Sequence, residues 1–285
     1  MKVCLNKAVI IGGDKRQAYL AEILHKEGYK VISYAVNCVH AKNANSLREA
    51  LKEADIIAAP VPFLKDGEIF SKEKKEDLSL EYLLEYAPVG CRIFAGGIPV
   101  SFSKKAEKKG IVCIDYLKDC RTVMENTIAV AEGTLAEAMK RSDRNLYKSF
   151  CIVMGYGRCG STLVSYLKRM GCHVAVYERE ETLRARAALL ADEVIVKDRV
   201  SLYLEQADYI FNTIPAMVLP KALLEYVPKN ALILDLASSP GGVDFETAQE
   251  KGIQAVLLPG LPGTYAPKSS AEILGELIKR KGKRE

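Results

Sequence analysis

Short apolar runs rich in β-branched residues alternate with amphipathic segments along the whole chain. Runs this apolar are typical of strands buried on both faces of a parallel sheet, with the intervening segments covering the sheet as helices. The pattern therefore predicts an α/β protein with two doubly wound parallel-sheet domains. The predicted strands lie at residues 8–12, 30–34, 55–59, 91–96, 111–115, 150–155, 173–177, 193–196, 209–213, 231–237 and 255–258.

A long helical pattern separates the two groups of strands. Between residues 119 and 142, apolar side chains recur at the spacing of one helix face. These side chains are Val123, Ile128, Ala131, Leu135 and Met139. The spacing predicts a single long helix that joins the two domains.

The domain boundaries follow from this helix. We expect a first, flavodoxin-like substrate domain at residues 1–118, the linking helix at 119–145 and a nucleotide-binding domain at 146–267. A final helix at 268–283, with Ser270 as its expected N-cap, is expected to pack back on the first domain.

The stretch IVMGYGRCG, at residues 152–160, carries the clearest chemical signal. Gly155 permits a tight turn after a strand, Gly157 lets a pyrophosphate approach the backbone, and Gly160 lets the next helix pack closely. The helix N-terminus adds free N–H groups and a partial positive charge. With an acidic residue about twenty positions further on, this arrangement predicts a Rossmann domain that binds NAD or NADP.

Two neighbouring residues bear on the choice of cofactor. Glu178 stands where an acidic residue would accept the ribose 2′-OH of NAD, whereas Arg179 could pair with the 2′-phosphate of NADP. The sequence leaves both cofactors open. The remaining expected cofactor-binding residues are Arg158 and Cys159 in the glycine loop and Asn212, Thr213 and Pro215 on the nicotinamide side, with a strand-capping role as the alternative for Asn212.

A second glycine loop, IIGGDKRQ, lies near the N-terminus. Aligned on the strand ends, Asp14 and Gln17 occupy the places of the second and third glycines, where side chains would block a pyrophosphate. We therefore expect this loop to bind a substrate carboxylate at a helix N-terminus, with Arg16 gripping it in a fork. The alternative is a charged helix start that faces water.

Three further loops follow predicted strands, where ligands collect in open α/β sheets. They are APVPF (59–63), LASSPGG (236–242) and LPGLPGTYAPKSS (258–270). We expect the last to form a rigid loop, either as a substrate wall or as a plain connection. The candidate polar groups in these loops are Ser238, Ser239, Tyr265 and Lys268.

Composition excludes several other classes of protein. The 41 basic and 36 acidic residues are interspersed, and the basic run KRKGKRE is more typical of a helix end than of a nucleic-acid arm. The eight cysteines show no metal-site spacing and are expected to be reduced thiols. No targeting segment or apolar stretch of membrane-spanning length is evident. We expect a cytoplasmic protein without a metal, nucleic-acid or membrane partner.

Five motifs occur in the order found in the A-subunit family of bacterial dipicolinate synthases: GGDKRQ, PVP, GYGRCG, DLASSPGGVDF and PGLPGTYAPKSS. The chain resembles this family over nearly its whole length. The resemblance implies NADP-dependent oxidation of a cyclic tetrahydrodipicolinate precursor to dipicolinate, in the mother-cell cytoplasm of a sporulating bacterium. It also implies a flavoprotein-like partner, the B subunit of dipicolinate synthase, and leaves self-association open.

The resemblance gives the candidate residues their expected roles. A planar dicarboxylate needs cationic, amide and hydroxyl partners, and either Asp14 or Tyr265 is expected to handle the proton. Glu178 departs from the family pattern, in which a small residue is more frequent, so NAD remains the second candidate cofactor. The expected substrate-binding residues are Arg16, Gln17, Ser238, Ser239 and Lys268.

Two other functions remain to be weighed. D-2-hydroxy acid dehydrogenases share the two-domain plan but use a histidine late in the cofactor domain, and the histidines here are His25, His40 and His173. A non-catalytic NAD(P)-sensing protein that regulates a partner is the second alternative. It would bind the cofactor without any turnover.

Overall fold

The structure is a computed structural model, and it describes residues 6–282. Its contacts divide the chain into two compact units. Unit 1 comprises Met1–Asn126 together with Ala266–Glu285, and unit 2 comprises Thr127–Tyr265. The predicted end of the last helix at residue 283 and Cys4 lie outside the described residues.

Unit 1 contains a six-stranded parallel sheet of order β3-β2-β1-β4-β7-β8 and a separate hairpin, β5-β6. The strand order reverses between β1 and β4, which makes the carboxyl ends of these two strands the switch point where ligands bind in such sheets. Without the two-residue edge strand β3, the order is that of flavodoxin-like folds. The strands are β1 (Lys7–Ile11), β2 (Lys30–Tyr34), β3 (Lys42–Asn43), β4 (Ile56–Ala58), β5 (Leu64–Lys65), β6 (Glu68–Ile69), β7 (Arg92–Ala95) and β8 (Val112–Asp115). The helices between them are α1 (Lys15–Lys26), α2 (Leu47–Leu51), α3 (Leu80–Tyr86) and α4 (Val100–Lys108), and a 3-10 turn follows at Tyr116–Lys118.

Helix α5 (Cys120–Arg141) is the predicted long helix that links the two units. Within unit 2, the second parallel sheet has the order β11-β10-β9-β12-β13-β14, with its switch point between β9 and β12. Its strands are β9 (Phe150–Met154), β10 (His173–Tyr177), β11 (Glu193–Ile195), β12 (Tyr209–Asn212), β13 (Leu232–Asp235) and β14 (Gln254–Leu257). Its helices are α6 (Arg158–Arg169), α7 (Glu181–Ala187), α8 (Val200–Leu204), α9 (Lys221–Leu224), α10 (Phe245–Glu250) and α11 (Leu261–Tyr265), with a 3-10 turn at Lys197–Arg199.

Both sheets are covered on two faces, as the apolar runs predict. In β9, Val153 packs into the core cluster on one face, whereas Ile152 and Met154 pack into the cluster on the other. All eleven predicted strands occur within one or two residues of their expected bounds. The predicted fold class is therefore confirmed.

The last helix, α12 (Pro267–Lys281), packs against α1 in unit 1. Leu274 and Leu277 share a core cluster with Leu20 of α1. A Cβ on Gly275 would lie 3.0 Å from a side-chain carbon of Ile23, so this glycine lets the two helices approach closely. Among the described residues, no helix is both long and apolar enough to cross a membrane.

Two sequence predictions about this region are wrong. The segment expected to be a rigid loop is mostly helical, because proline is tolerated in the first turn of a helix and both α11 and α12 begin that way. For the same reason Ser270 is not the N-cap, since α12 already begins at Pro267. Instead Ser270 is buried in the helix, and its hydroxyl donates to Asn126 Oδ1 at 3.2 Å.

Candidate cofactor and substrate sites

The glycine loop of unit 2 needs its first and third glycines for steric reasons. Gly155 adopts φ 96°, a conformation that favours glycine, and its N–H donates to the carbonyl of Tyr177 at 2.7 Å. A Cβ on Gly160 would lie 2.0 Å from the carbonyl oxygen of Gly155. Helix α6 can therefore start directly behind the strand only with glycine at residue 160.

Gly157 has a different role, because it leaves space open. It is the N-cap of α6, and no side chain of the described residues caps that helix. No described heavy atom lies within 4 Å of the position that a Cβ on Gly157 would take. The first-turn N–H groups, at Arg158, Cys159 and Gly160, are thus left open to an anion, and a dinucleotide pyrophosphate fits this site.

The equivalent loop of unit 1 is closed. The side chain of Asp14 caps α1 by accepting from the Arg16 N–H at 3.0 Å. The side chain of Gln17 is buried and donates to the carbonyl of Ala58 at 3.0 Å. These two side chains fill the region that the glycines leave open in unit 2.

Glu178 lies at the carboxyl end of β10 beside the open loop. One carboxylate oxygen accepts the N–H of Tyr156 at 2.8 Å, and the other accepts the N–H groups of Arg179 and Glu180 at 2.7 and 3.0 Å. Burial raises the pKa of Glu178, but these hydrogen bonds and Arg179 outweigh it and lower the pKa overall. The residue is therefore a fixed anion. With about four lone-pair positions on a carboxylate, it retains room for one more donor.

The cationic groups nearby are more exposed. The side chains of Arg158 and Arg179 face solvent. Arg184 is half-buried and donates to the carbonyl oxygens of Arg179 and Glu178. The guanidinium of Arg184 thus fixes the backbone at Glu178 and Arg179, and with it the position of the Glu178 carboxylate.

Asn212 is fully buried, and its amide is used within the protein. Its Nδ2 donates to Asp235 Oδ1 at 2.9 Å and to the carbonyl of Ile214 at 3.1 Å, while its Oδ1 accepts the N–H of Ile214 at 2.9 Å. We propose that Asn212 positions the carboxyl end of β12. Thr213 and the exposed Pro215 would then face the cofactor at the switch point between β9 and β12. The hydroxyl of Thr213 donates to the carbonyl of Met154 at 2.9 Å, and this bond joins the ends of β12 and β9 at the switch point.

Asp235 is a residue that the sequence reasoning missed. It is fully buried, and its carboxylate also accepts the N–H groups of Ala237 at 2.9 Å and Gly242 at 2.7 Å. It thereby folds the loop that presents the exposed Ser238 and Ser239. A sequence signal was available, because Asp235 is the one charged residue in the apolar run ALILDLA. In the structure it is the register partner of Asn212 on the adjacent strand.

In unit 1, Asp14 and Arg16 form a nearly buried ion pair. Arg16 Nε lies 2.9 Å from Asp14 Oδ1, and Arg16 Nη2 lies 2.8 Å from Asp14 Oδ2. Arg16 Nη2 also donates to the carbonyl of Val61, which follows β4. Burial raises the pKa of Asp14, but the bonds and charge of Arg16 prevail and lower it overall. The pair therefore spans the two loops that flank the switch point of this sheet.

Tyr265 and Lys268 belong to different units. The Tyr265 hydroxyl bonds the carboxylate of Glu137 on α5, and this bond raises the pKa of Tyr265. The same carboxylate pairs with Arg141 at 2.7 Å. Lys268 lies in the first turn of α12 and is exposed.

Comparison with known proteins finds two family models that match different parts of the chain. Residues 7–117 match the family model for the N-terminal domain of the dipicolinate synthase A subunit. Residues 115–237 match the model for the NAD-binding domain of D-isomer specific 2-hydroxyacid dehydrogenases.

Individual relatives extend the match to almost the whole chain. The dipicolinate synthase A subunit of Bacillus subtilis is 28% identical over 283 residues, covering 96% of this chain and 95% of the relative. The crystal structure of the dipicolinate synthase A subunit from Bacillus halodurans superposes with a TM-score of 0.88 at 27% identity, covering 98% of both chains. A transhydrogenase from Sinorhizobium meliloti shares the fold, with a TM-score of 0.68 at 15% identity over 97% of this chain and 93% of its own. The resemblance inferred from the sequence motifs is thus confirmed: the chain is similar to the dipicolinate synthase A subunit over nearly its whole length. Its first part matches the N-terminal domain of that family, and its second part matches a dehydrogenase-type NAD-binding domain.

Proposed function

We propose that this chain is the oxidoreductase component of a dipicolinate synthase. The observation that carries the proposal is the open, uncapped N-terminus of α6 in a chain that resembles the dipicolinate synthase A subunit. A protein that binds no dinucleotide has no need of such an opening, whereas the NAD(P)-sensing alternative would share it and differs only in lacking turnover. We propose that the enzyme works in the cytoplasm of the mother cell, together with the B subunit of the synthase.

The proposed reaction removes water and two hydrogens from a cyclic hydroxylated tetrahydrodipicolinate. Loss of water gives the dihydro ring. A hydride then leaves the ring carbon next to nitrogen and a proton leaves the neighbouring carbon, which completes the aromatic pyridine. The bound nicotinamide supplies the hydride acceptor. Because the ring becomes aromatic, the protein's main task is to orient the ring and accept a proton.

We propose that NAD is preferred over the NADP that the family resemblance implies. The Glu178 carboxylate is ionised and is held by three backbone N–H groups beside the loop. A free lone pair there suits a ribose hydroxyl, whereas a 2′-phosphate would meet a fixed negative charge. Arg179 remains the group that could offset this repulsion for NADP.

We propose that polar side chains of the chain contact the carboxylates of the substrate. Ser238 and Ser239 present hydroxyls after β13, Lys268 offers a cation on α12, and Arg16 lies at the switch point of unit 1. Gln17 serves as a packing residue in this scheme because its amide is buried against Ala58.

Asp14 is our candidate for the proton acceptor. Its lowered pKa makes it a weak base, but a ring that has lost a hydride is strongly acidic, so a weak base suffices. Tyr265 is a less suitable acceptor because its hydroxyl is engaged with Glu137 and its pKa is raised. It is better suited to hold α11 against α5.

The 2-hydroxy acid dehydrogenase alternative is supported only by the match to the cofactor domain. That chemistry needs a histidine acid/base beside the nicotinamide. His173 is the first residue of β10, at the end of the sheet opposite the glycine loop, and its Nε2 lies 2.9 Å from Glu193 Oε1. This histidine therefore lies at the amino end of its strand, which is the wrong end of the sheet for that reaction.

Product formation tests the proposal. The purified chain, with and without the B subunit, is given the freshly made condensation product of aspartate semialdehyde and pyruvate together with NAD or NADP, and dipicolinate is quantified. We expect dipicolinate to form with equimolar reduction of the cofactor. Cofactor binding without product in any combination would refute the enzyme and favour the NAD(P)-sensing protein.

A further inference from the structure

A small cavity of about 40 Å³ lies inside unit 1 at the carboxyl end of its sheet. Its polar lining comes from α1, the turn after β8, α5 and α12, and aliphatic residues complete the wall. The polar residues are Arg16, Tyr116, Thr122, Asn126 and Ser270. A water needs about 10–15 Å³, so there is room for the two oxygens of a carboxylate.

The hydroxyl of Tyr116 is unsatisfied. Tyr116 is fully buried, and its oxygen is the one buried side-chain polar atom without a hydrogen-bond partner among residues 6–282. Its ring packs beside Phe94, with the ring centroids 6.1 Å apart. A buried hydroxyl without a partner costs stability, so its presence in the wall of a cavity indicates a partner that enters from outside.

Arg16 lines the same cavity and has further donors. The hydrogen bonds that its side chain makes to Asp14 and Val61 use only Nε and Nη2. The two N–H groups on Nη1 thus remain for a ligand within the described part of the chain. Asn126 adds a third group, because its Oδ1 accepts Ser270 and its Nδ2 remains a donor.

Arg16 lies at the switch point of the unit 1 sheet, and Tyr116 lies at the carboxyl end of its edge strand β8. Arg16 follows β1 and bonds the loop after β4, and Tyr116 directly follows β8. The carboxyl ends of strands beside a switch point are where open α/β sheets bind small ligands. Donors from a guanidinium, a phenol and an amide match an anionic acceptor with two oxygens.

We propose that this cavity receives one carboxylate of the pyridine dicarboxylate, with Tyr116 O–H and Arg16 Nη1 as its donors. The inference rests on the proposed function and extends it by naming Tyr116 as a substrate-binding residue. Asp14 remains paired with the other edge of the Arg16 guanidinium, so the carboxylate enters beside a neutralised ion pair rather than a bare cation.

Tyr116→Phe tests this inference, with Tyr82→Phe on exposed α3 as the matched control. The probe is pyridine-2,6-dicarboxylate, titrated calorimetrically into the full chain with saturating cofactor. Loss of a hydrogen bond to a charged group predicts about tenfold weaker binding for Tyr116→Phe, with unchanged cofactor affinity. The melting temperature should stay the same or rise, because an unsatisfied buried hydroxyl is removed. The control should match the wild type.

The outcomes separate this inference from the proposed function. Wild-type turnover with unchanged dicarboxylate affinity and KM in Tyr116→Phe would overturn the cavity assignment alone. A wild-type chain that neither binds the dicarboxylate nor forms product, with or without the B subunit, would overturn both. Weaker dicarboxylate binding in a variant that melts no earlier supports the assignment, since a purely structural role for the hydroxyl would not produce it.

Discussion

Replacing Glu178 by glutamine is expected to raise the ratio of kcat/KM for NADP to that for NAD by about 30-fold. Two unit charges about 4 Å apart interact by about 4 kcal/mol at an effective dielectric constant of about 20. Solvent and salt screening at this half-buried site reduce the term to about 2 kcal/mol, which corresponds to about 30-fold. Glutamine keeps the length of the side chain and removes its charge.

Initial rates with each cofactor measure this ratio, and Arg179→Ala is the companion variant. If NAD is the physiological cofactor, Arg179→Ala should leave the NAD reaction within about twofold of the wild type. The account would be contradicted by a wild-type enzyme that prefers NADP and loses that preference in Arg179→Ala, while Glu178→Gln leaves the ratio unchanged.

Gly157→Ala is expected to weaken cofactor binding by about 10- to 100-fold without lowering the melting temperature. A methyl group here would meet no heavy atom of the described residues within 4 Å, so the fold should accept it. It would instead project into the space through which the pyrophosphate approaches the backbone. Calorimetric titration of NAD and a thermal melt separate these two effects.

Gly160→Ala is the contrasting variant. Its methyl would lie 2.0 Å from the Gly155 carbonyl oxygen, so we expect loss of stability as well as of cofactor binding. A Gly157→Ala protein that binds NAD as tightly as the wild type would show that the pyrophosphate does not lie at the N-terminus of α6.

The strands and the linking helix could be predicted because their signals are local. Strands such as β1 are buried on both faces, so every residue of Ala8–Ile11 is apolar. A short, wholly apolar run of this kind is typical of a buried parallel strand. By contrast, β3 and the β5-β6 hairpin have two residues per strand and carry no periodicity that could be detected.

The glycine loops could be compared in sequence because backbone sterics determine what each position tolerates. Gly155 and Gly160 stand where a side chain would collide with Thr213 or with the backbone, and the spacing alone revealed them. The closing of the first loop by Asp14 and Gln17 follows the same logic. Arg16, the partner of Asp14, is only two residues away in sequence, whereas the bond from Gln17 to the carbonyl of Ala58 depends on a tertiary contact that no spacing reveals.

The cavity in unit 1 could not be predicted. Its lining joins Arg16 to Tyr116 and Asn126, which lie far from it in sequence, and to residues of the C-terminal helix. An unsatisfied hydroxyl leaves no pattern in the chain, because a tyrosine after a strand is most often a packing residue. The role of Asp235 was missed for a related reason, since a buried carboxylate is defined by the N–H groups that surround it.

The central claim is that this chain oxidises the ring by hydride transfer to its own cofactor. The most direct test supplies substrate made from aspartate semialdehyde deuterated at its α and β carbons and analyses the reduced cofactor by mass spectrometry. We predict one deuterium in each reduced cofactor, formed in equal amount to dipicolinate. Dipicolinate that forms without deuterium in the cofactor would contradict the account, because oxidation would then take place elsewhere.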